Sequence, residues 1–344
     1  MKARTKLAAT AHAFLCGALL ALILAALVAI SRIPATTRQN ARMTEMVTRL
    51  TAQVSRLSQE QAMPSVVVAR HRDSICYVYA LYSLTPGGRG RRFYRPVRTR
   101  VSGTGFVVAD GLIATNRHVV EPWFEDEEDQ TQIRLGAVPK IEKLMAFFPG
   151  HSNPVELTDV TVSRGHDLAV ARFSSPPEES IPRPVPLAAN AAVPGDAVVV
   201  VGYPMGVTAM LAKSPRKVYK RLAYSRETIE IARDLAQHYL IRPSATYGHL
   251  GDVVEDKLIY DAPTAQGGSG GPVFNSDGQV IGVNAAYIDG FAGGTLGISV
   301  EALKPLIAEA QKPRLKTKPA RAEVASDESS ATEFSVPAVS DNLR

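Results

Sequence analysis

Apolar and polar positions divide the chain into stretches of different periodicity. The first is a nearly unbroken apolar run, Leu7–Ile30, after the basic start MKARTK. About 20 such residues span the hydrocarbon core of a bilayer, and AALVAI ends the run without a good signal-peptidase site. The pattern therefore predicts an uncleaved signal anchor, a transmembrane helix, over residues 1–32. A cleaved signal and an organelle presequence are the alternatives that this run leaves open.

The second stretch, MTEMVTRLTAQVSRLSQEQ, has a helical pattern. Its apolar side chains recur with alternating spacings of four and three, at Met43, Val47, Leu50, Val54 and Leu57. This spacing places them on one seam, as in a short coiled coil. It predicts an amphipathic helical stalk over residues 33–63 that ends at Pro64. Both a homo-oligomer and a lone helix are compatible with so short a seam.

From Pro64 onward the pattern is that of short β-strands. The segment GTGFVVADGLIATN predicts two strands joined by a tight turn at Asp110-Gly111. The proline-rich connector SSPPEESIPRPVP separates two strand sets, residues 64–173 and 185–310. Many short strands with Gly/Pro turns favour barrels or a sandwich, so residues 64–310 are expected to form a mainly β domain. The predicted strands include SICYVYALY, DLAVARF, DAVVVVGYP, DKLIYDAP and GTLGISV.

Two segments depart from this pattern. The segment Ser225–Ile241 has apolar residues at helical spacing, a serine that can cap its start and Pro243 beyond its end. It predicts a helical insertion in the second strand set. After Ala310 the chain becomes polar and rich in Pro, Ser, Glu and Lys, which predicts a disordered tail over residues 311–344.

The charge balance is basic but does not indicate a nucleic-acid partner. The net charge is +6, and its excess is concentrated in three short stretches. No pattern of stacking aromatic residues accompanies them, so they are interpreted as solvated loops. The two cysteines, Cys16 and Cys76, lie in the apolar run and in a predicted strand, and no disulfide is expected between them. No Cys/His cluster has metal-ligand spacing, so neither a metal nor another cofactor is expected.

Three polar residues are candidates for a serine-based active site. His118 follows the strand LIATN, Asp167 opens the strand HDLAVARF, and Ser269 lies in GGSGG. A serine hydroxyl needs a base, a group that orients the base, and donors for the oxyanion. We therefore expect His118 to be the general base, Asp167 its orienting acid and Ser269 the nucleophile. Asp159, before another strand-like stretch, is the alternative acid.

The sequence GGSGG is also compatible with a flexible linker. It lies, however, between KLIYDAP and PVFNSDGQVIGVNAAY, two strands of one predicted set. A nucleophile loop explains this position better, because glycine permits backbone conformations closed to other residues. The N–H groups of Gly267 and Ser269 are then predicted to be the oxyanion donors.

At these positions the chain resembles the trypsin-like serine proteases of the HtrA/Deg branch. The resemblance rests on SGTGFVVADGLIATNRHVV, HDLAVARF and GGSGGPVFNSDGQVIGVN and covers Ile75 to about Leu306. It implies a chymotrypsin-like fold of two six-stranded β-barrels with the active site between them. It also implies a serine endopeptidase that acts on polypeptides through an acyl-enzyme, without a cofactor, in protein quality control or processing. The PDZ domain usual in this branch is not recognised after the protease.

The chain departs from the family pattern beside the nucleophile. Gly268 stands where digestive relatives carry the acid that pairs with a newly cut amino terminus, so no activating cleavage is expected. Ala285 stands where a Ser or Thr usually supports the catalytic acid. Pro263, six residues before Ser269, replaces the acid that selects Lys or Arg in trypsin-like folds. An apolar substrate pocket is therefore expected, lined by Pro263, Asn284, Ala285, Leu296 and Ile298.

The leading hypothesis is a membrane-anchored, extracytoplasmic serine endopeptidase that contacts lipid through its N-terminal helix. In a bacterium this location is the periplasm; organelle targeting and secretion after cleavage are the alternatives. Two further hypotheses are a catalytically weak or inactive protease-like binding module and a structural scaffold whose stalk assembles partners.

Overall fold

The computed structural model describes residues 2–85, 97–174, 182–225, 227–287 and 294–312. Within these ranges, the side chains of residues 2–14, 16, 30–38, 59–60 and 286–287 are not described. Most of the basic stretch before Val97 and the predicted tail after Lys312 therefore lie outside the described residues. The described residues up to Ala310 form one compact unit.

The N-terminal region is one long helix, α1, over Lys2–His71. The prediction that Pro64 ends the stalk is wrong, because the helix continues through it for two further turns. A proline inside a helix costs roughly 3 kcal/mol. The burial of Met63 and Val67, which are 4% and 2% exposed and pack in the main hydrophobic core, offsets this cost.

The structure does not support the predictions of a transmembrane segment and a coiled coil in α1. None of the helices that the structure describes is both long and apolar enough to cross a bilayer. Part of the predicted anchor, including residues 7–14, lies outside the described side chains. The apolar seam from Met43 to Leu57 is exposed to solvent along its length in this single chain, so pairing through it stays a prediction.

The first strand set closes into an antiparallel barrel in the order β1-β2-β3-β6-β5-β4. The predicted Asp110-Gly111 turn joins β2 to β3, and Gly111 has a φ of +69° there. Two helices that lead away from β3 are α2 (Arg117–Val120) and α3 (Glu127–Arg134). The strands are β1 (Ile75–Thr85), β2 (Val97–Ala109), β3 (Leu112–Thr115), β4 (Val138–Phe147), β5 (Val155–Val162) and β6 (Ala169–Phe173).

The second set forms another closed barrel, in the order β10-β11-β12-β9-β8-β7. Two six-stranded barrels confirm the predicted architecture. The strands are β7 (Ala197–Gly202), β8 (Ser244–Val254), β9 (Lys257–Tyr260), β10 (Pro272–Phe274), β11 (Val280–Tyr287) and β12 (Thr295–Ser299).

The helical insertion between β7 and β8 is larger than predicted. Its last helix, α6 (Thr228–Gln237), falls within the predicted limits, but Glu227 rather than Ser225 is its N-cap. Two helices precede it that the apolar pattern did not indicate, α4 (Gly206–Ala212) and α5 (Arg216–Leu222). The insertion therefore starts directly after the end of β7.

The two barrels are held together by packing and by the helix that follows β12. Each barrel has its own apolar interior, and a third, larger cluster of buried side chains joins them. Helix α7 (Val300–Ala310) leaves the second barrel and lies against strands of the first. The Arg172 guanidinium on β6 donates to the Ala310 carbonyl at its end, at 2.9 Å. Residues from the two barrels can therefore meet in a fixed geometry.

Candidate active site

The first barrel brings His118 and Asp167 together. His118 lies on the short helix α2 after β3, and Asp167 lies just before β6, the strand that pairs with β3. The Nδ1 atom of His118 is 2.7 Å from Asp167 Oδ2, and the His118 main-chain N–H donates to Oδ1 at 2.9 Å. Asn116 donates to the Asp167 carbonyl at 2.7 Å. The pairing of β3 with β6 thus selects Asp167, and not Asp159, as the partner of His118.

This pair sets the charge and tautomer of the imidazole. Because Nδ1 faces a carboxylate, it carries the proton in the neutral ring and leaves a lone pair on Nε2. Burial by itself lowers the pKa of His118, but the hydrogen bond and charge of Asp167 and the charge of Glu125 outweigh it and raise that pKa above its ordinary value. Glu125 Oε2 is 3.5 Å from Nδ1, and its side chain is 57% exposed.

The second barrel supplies Ser269, in the loop that precedes β10. This loop touches the end of β3, just before His118, since a Cβ on Gly270 would meet Thr115 Oγ1 and would lie 3.2 Å from the Asn116 nitrogen. The Thr104 N–H on β2 donates to the Ser269 carbonyl at 2.8 Å. The Ser269 hydroxyl donates to the Ala285 carbonyl at 3.0 Å. In the part of the chain that the structure describes, no hydrogen bond joins this hydroxyl to His118.

The peptide groups around Ser269 have a definite orientation. The Met205 N–H holds the Gln266 carbonyl at 2.7 Å, and Asn284 Nδ2 holds the Gly268 carbonyl at 2.9 Å. In a trans peptide the N–H points away from the carbonyl, so the N–H groups of Gly267 and Ser269 point away from these partners. Among the described residues, neither N–H donates to a protein acceptor. Two main-chain donors without a protein acceptor, two residues apart, are compatible with an oxyanion site.

The residues predicted for the substrate pocket separate into two groups. Asn284 is 1% exposed and pairs across β11 and β12 with Gly297, so both face the interior of the second barrel. Ile298 pairs with buried Val283 and packs on the opposite face, against the core cluster that joins the barrels. Leu296, two residues before Ile298, shares that face.

Pro263 is exposed, and Ala285, which follows Asn284 in β11, is half-buried. The register places Leu296 and Ile298 on the face of the sheet opposite to Asn284, and a pocket formed by these residues stays a prediction.

Among the residues that the structure describes, one group of side chains has atoms close enough to hold a cation. These are His118, Glu125 and Asp167, whose ligand atoms lie within 4.8 Å of one another. A cation there would have to displace the hydrogen bond between His118 and Asp167. The arrangement therefore fits a proton-transfer pair better than a metal site.

Sequence reasoning missed two residues of this region, Thr104 and Glu125, and predicted Asn284 only as a residue of the substrate pocket. Thr104 donates through Oγ1 to the Gly267 carbonyl at 2.8 Å, and Asn284 binds the Gly268 carbonyl. Glu125 lies near His118 across the bend after α2. The acidic run EPWFEDEED indicates negative charge near His118 but not which carboxylate faces it. The contacts of Thr104 and Asn284 depend on long-range strand pairing, which the sequence does not reveal.

Several known proteins are similar to parts of this chain. A probable periplasmic serine endoprotease, DegP-like, from Chlamydia pneumoniae is 30% identical over 199 residues, which are 58% of this chain and 31% of that protein. The serine protease Rv3671c from Mycobacterium tuberculosis is 28% identical over 183 residues, 53% of this chain and 35% of that protein. The chain thus spans about a third of the length of these relatives.

The crystal structure of the active form of the Rv3671c protease gives a TM-score of 0.47 at 21% identity, covering 74% of this chain and 88% of that one. The model of one protein family, described as the trypsin-like peptidase domain, matches residues 103–283. This match extends over just over half of the 344 residues and includes His118, Asp167 and Ser269. The chain therefore belongs to the family of trypsin-like peptidase domains.

Proposed function

We propose that this protein is a serine endopeptidase that cleaves polypeptides through an acyl-enzyme on Ser269. The observation that carries the proposal is the hydrogen bond of 2.7 Å between His118 Nδ1 and Asp167 Oδ2. The neighbouring serine loop has two main-chain N–H groups, those of Gly267 and Ser269, that donate to no acceptor among the described residues. Base, orienting acid, nucleophile and oxyanion donors are the set that acyl transfer needs. The family membership and the names of the relatives support the same activity.

The proposed reaction begins when the Ser269 hydroxyl leaves the Ala285 carbonyl and donates to His118 Nε2. Nε2 takes the hydroxyl proton as Oγ attacks the scissile carbonyl carbon, and the N–H groups of Gly267 and Ser269 bind the resulting oxyanion. Collapse of this intermediate breaks the C–N bond, and His118 gives its proton to the leaving amine. Water then attacks the ester by the same route. Asp167 remains ionised and stabilises the imidazolium.

The experiment that tests the proposal is labelling with a fluorophosphonate, which phosphonylates only an activated serine. We expect mass spectrometry to place the adduct on Ser269, and we expect Ser269→Ala to abolish it. Folded wild-type protein that remains unlabelled would instead favour an inactive, protease-like binding module. The Ser269–Ala285 hydrogen bond is the observation that favours this second candidate.

The substrate preference that we propose is for small or medium aliphatic residues before the cleaved bond. Pro263 offers no charge to a basic side chain, and Tyr260 and Asn284, which are hydrogen-bonded to each other, fill the interior of the second barrel. Cleavage of a peptide library is expected mainly after Val, Ala or Leu. Predominant cleavage after Lys or Arg would contradict this preference.

The proposed location is extracytoplasmic, and the proposed role is processing or quality control of proteins. The Chlamydia relative is described as probably periplasmic, which supports the location. Attachment by residues 7–30 stays a prediction. The test is to add a protease outside the cytoplasmic membrane of otherwise intact cells, where it is expected to digest the barrels. If the barrels were digested only after the cells were lysed, the proposed location would be contradicted.

Glu125 is proposed to tune the pH dependence of this activity. Neutral His118 is the form that accepts a proton, so activity falls as pH drops through the pKa of His118. The negative charge of Glu125 raises that pKa. Glu125→Gln is therefore expected to lower it and to move the acidic limb of the kcat/KM profile to lower pH.

The measurement is kcat/KM between about pH 5 and 9. Glu128→Gln is the matched control, because Glu128 is an exposed acid of α3 that does not contribute to the pKa shift of His118. An acidic limb that stays in place in Glu125→Gln, or that moves equally in both variants, would contradict the assignment.

A further inference from the structure

Asn284 is a buried polar residue that the proposed reaction does not use directly. Its Nδ2 group donates to the Gly268 carbonyl at 2.9 Å and to Thr264 Oγ1 at 3.2 Å. Its main chain holds the same loop, since Asn284 N donates to the Gly271 carbonyl and Gly270 N donates to the Asn284 carbonyl, both at 2.8 Å. One residue of β11 therefore binds the nucleophile loop on both sides of Ser269.

Tyr260 determines which way the Asn284 amide faces. The Tyr260 hydroxyl donates to Asn284 Oδ1 at 2.7 Å, and its ring is fully buried. Burial raises the pKa of the Tyr260 phenol well above its ordinary value, so the hydroxyl keeps its proton and remains a donor. With Oδ1 occupied by this donor, the NH₂ group of Asn284 must face Gly268.

The contact at the Gly268 carbonyl affects the proposed oxyanion site because this carbonyl and the Ser269 N–H belong to the same peptide group. Asn284 draws the Gly268 carbonyl toward the barrel interior, so the N–H of Ser269, in the same trans peptide, points the other way. A side chain at Gly268 would crowd this arrangement, because its Cβ would meet Thr264 Oγ1 and would lie 3.0 Å from the Ala265 carbonyl oxygen.

We propose that Asn284 is a positioning residue that holds the nucleophile loop with the Ser269 N–H directed toward the oxyanion. Tyr260 and Thr264 complete a buried polar network that orders the loop from within, without a newly cut amino terminus. This inference rests on the proposed serine peptidase activity. It predicts that weakening the network lowers kcat while leaving substrate affinity largely unchanged, because the oxyanion forms only in the transition state.

Asn284→Asp gives the sharpest test. The ionised carboxylate has no proton to donate and lies against the Gly268 carbonyl, so kcat is expected to fall by about 10²- to 10³-fold at alkaline pH, as when one oxyanion donor is lost. Burial favours the neutral carboxyl, whose O–H can donate to Gly268. The ratio of variant to wild-type kcat is therefore expected to rise as pH falls, although wild-type activity itself declines.

Three further variants separate positioning from stability. Asn284→Leu removes the donor without adding a titrating group, and its ratio to wild type is expected to be low at every pH. Tyr260→Phe removes only the hydroxyl that orients the amide, and a loss of about three- to tenfold in kcat is expected. Val283→Ala is the control, because Val283 lies next to Asn284 in β11 and is equally buried but faces the other side of the strand.

The outcomes distinguish this inference from the proposed function. Wild-type protein that neither cleaves substrate nor reacts with a fluorophosphonate would refute the function itself. With an active wild type, the inference is overturned if the Asn284 variants lose no more kcat than Val283→Ala. It is also overturned if their losses appear only in KM, or if the Asn284→Asp ratio does not change with pH.

Discussion

Replacing His118 with alanine is expected to lower kcat by about 10⁴- to 10⁶-fold, because serine attack then lacks its base. The Ser269 hydroxyl would keep only its bond to the Ala285 carbonyl, which orients it but cannot take its proton. Ser269→Ala should give a similar loss, and the double variant little more, since the two residues act as one unit. The measurement is steady-state cleavage of an unfolded polypeptide or a chromogenic peptide.

His249→Ala provides the control for this result. His249 lies on β8, is exposed and contacts Tyr247. Its replacement should leave kcat within about twofold of wild type, as is usual for an exposed residue away from the chemistry. If His118→Ala retained more than about a hundredth of wild-type kcat, the assignment of His118 as the base would have to be abandoned.

Gly267→Ala is expected to lower kcat by about 10²- to 10³-fold, the effect of losing one oxyanion donor. Gly267 has a φ of +93°, and a Cβ there would lie 2.7 Å from the Tyr203 carbonyl and 3.1 Å from the Gly206 nitrogen. Neither neighbour is a flexible side-chain end, so the loop itself must move. The displaced Gly267 N–H can then no longer reach the oxyanion.

Gly195→Ala is a closely matched control for this variant. Gly195 has a φ of +94°, but a Cβ there would meet no heavy atom within 4 Å. Alanine at positive φ should cost each variant about 1 kcal/mol of unfolding free energy, and Gly267→Ala should lose more because its Cβ also meets backbone atoms. Only Gly267→Ala should lose kcat. Equal kcat in the two variants, with thermal unfolding measured alongside, would contradict the role of Gly267.

Much of the fold could be predicted because its signals are local. Strand alternation, the Asp110-Gly111 turn and the proline-rich connector each depend on a few adjacent residues. Two strands without a clear pattern were missed, β4 and β8, and β5 was indicated only by the strand-like stretch after Asp159. Along β4 and β8 many residues are only half-buried, so the contrast between apolar and polar positions is weak. The helix end was misplaced at Pro64 because burial of Met63 and Val67 outweighs local propensity.

The sequence by itself determined the two strand sets, the chain order His118, Asp167, Ser269 and the glycine-rich loop around the serine. Residue type and local spacing carry that information. Only the tertiary structure decided that Asp167 pairs with His118, that Glu125 lies beside them, and that Asn284 holds the Gly268 carbonyl. These contacts join residues brought together by folding, through β3 with β6, the bend after α2, and β10 with β11. Hydrogen bonds act over about 3 Å and in fixed directions, so their partners follow from the packed barrels and not from the order of residues.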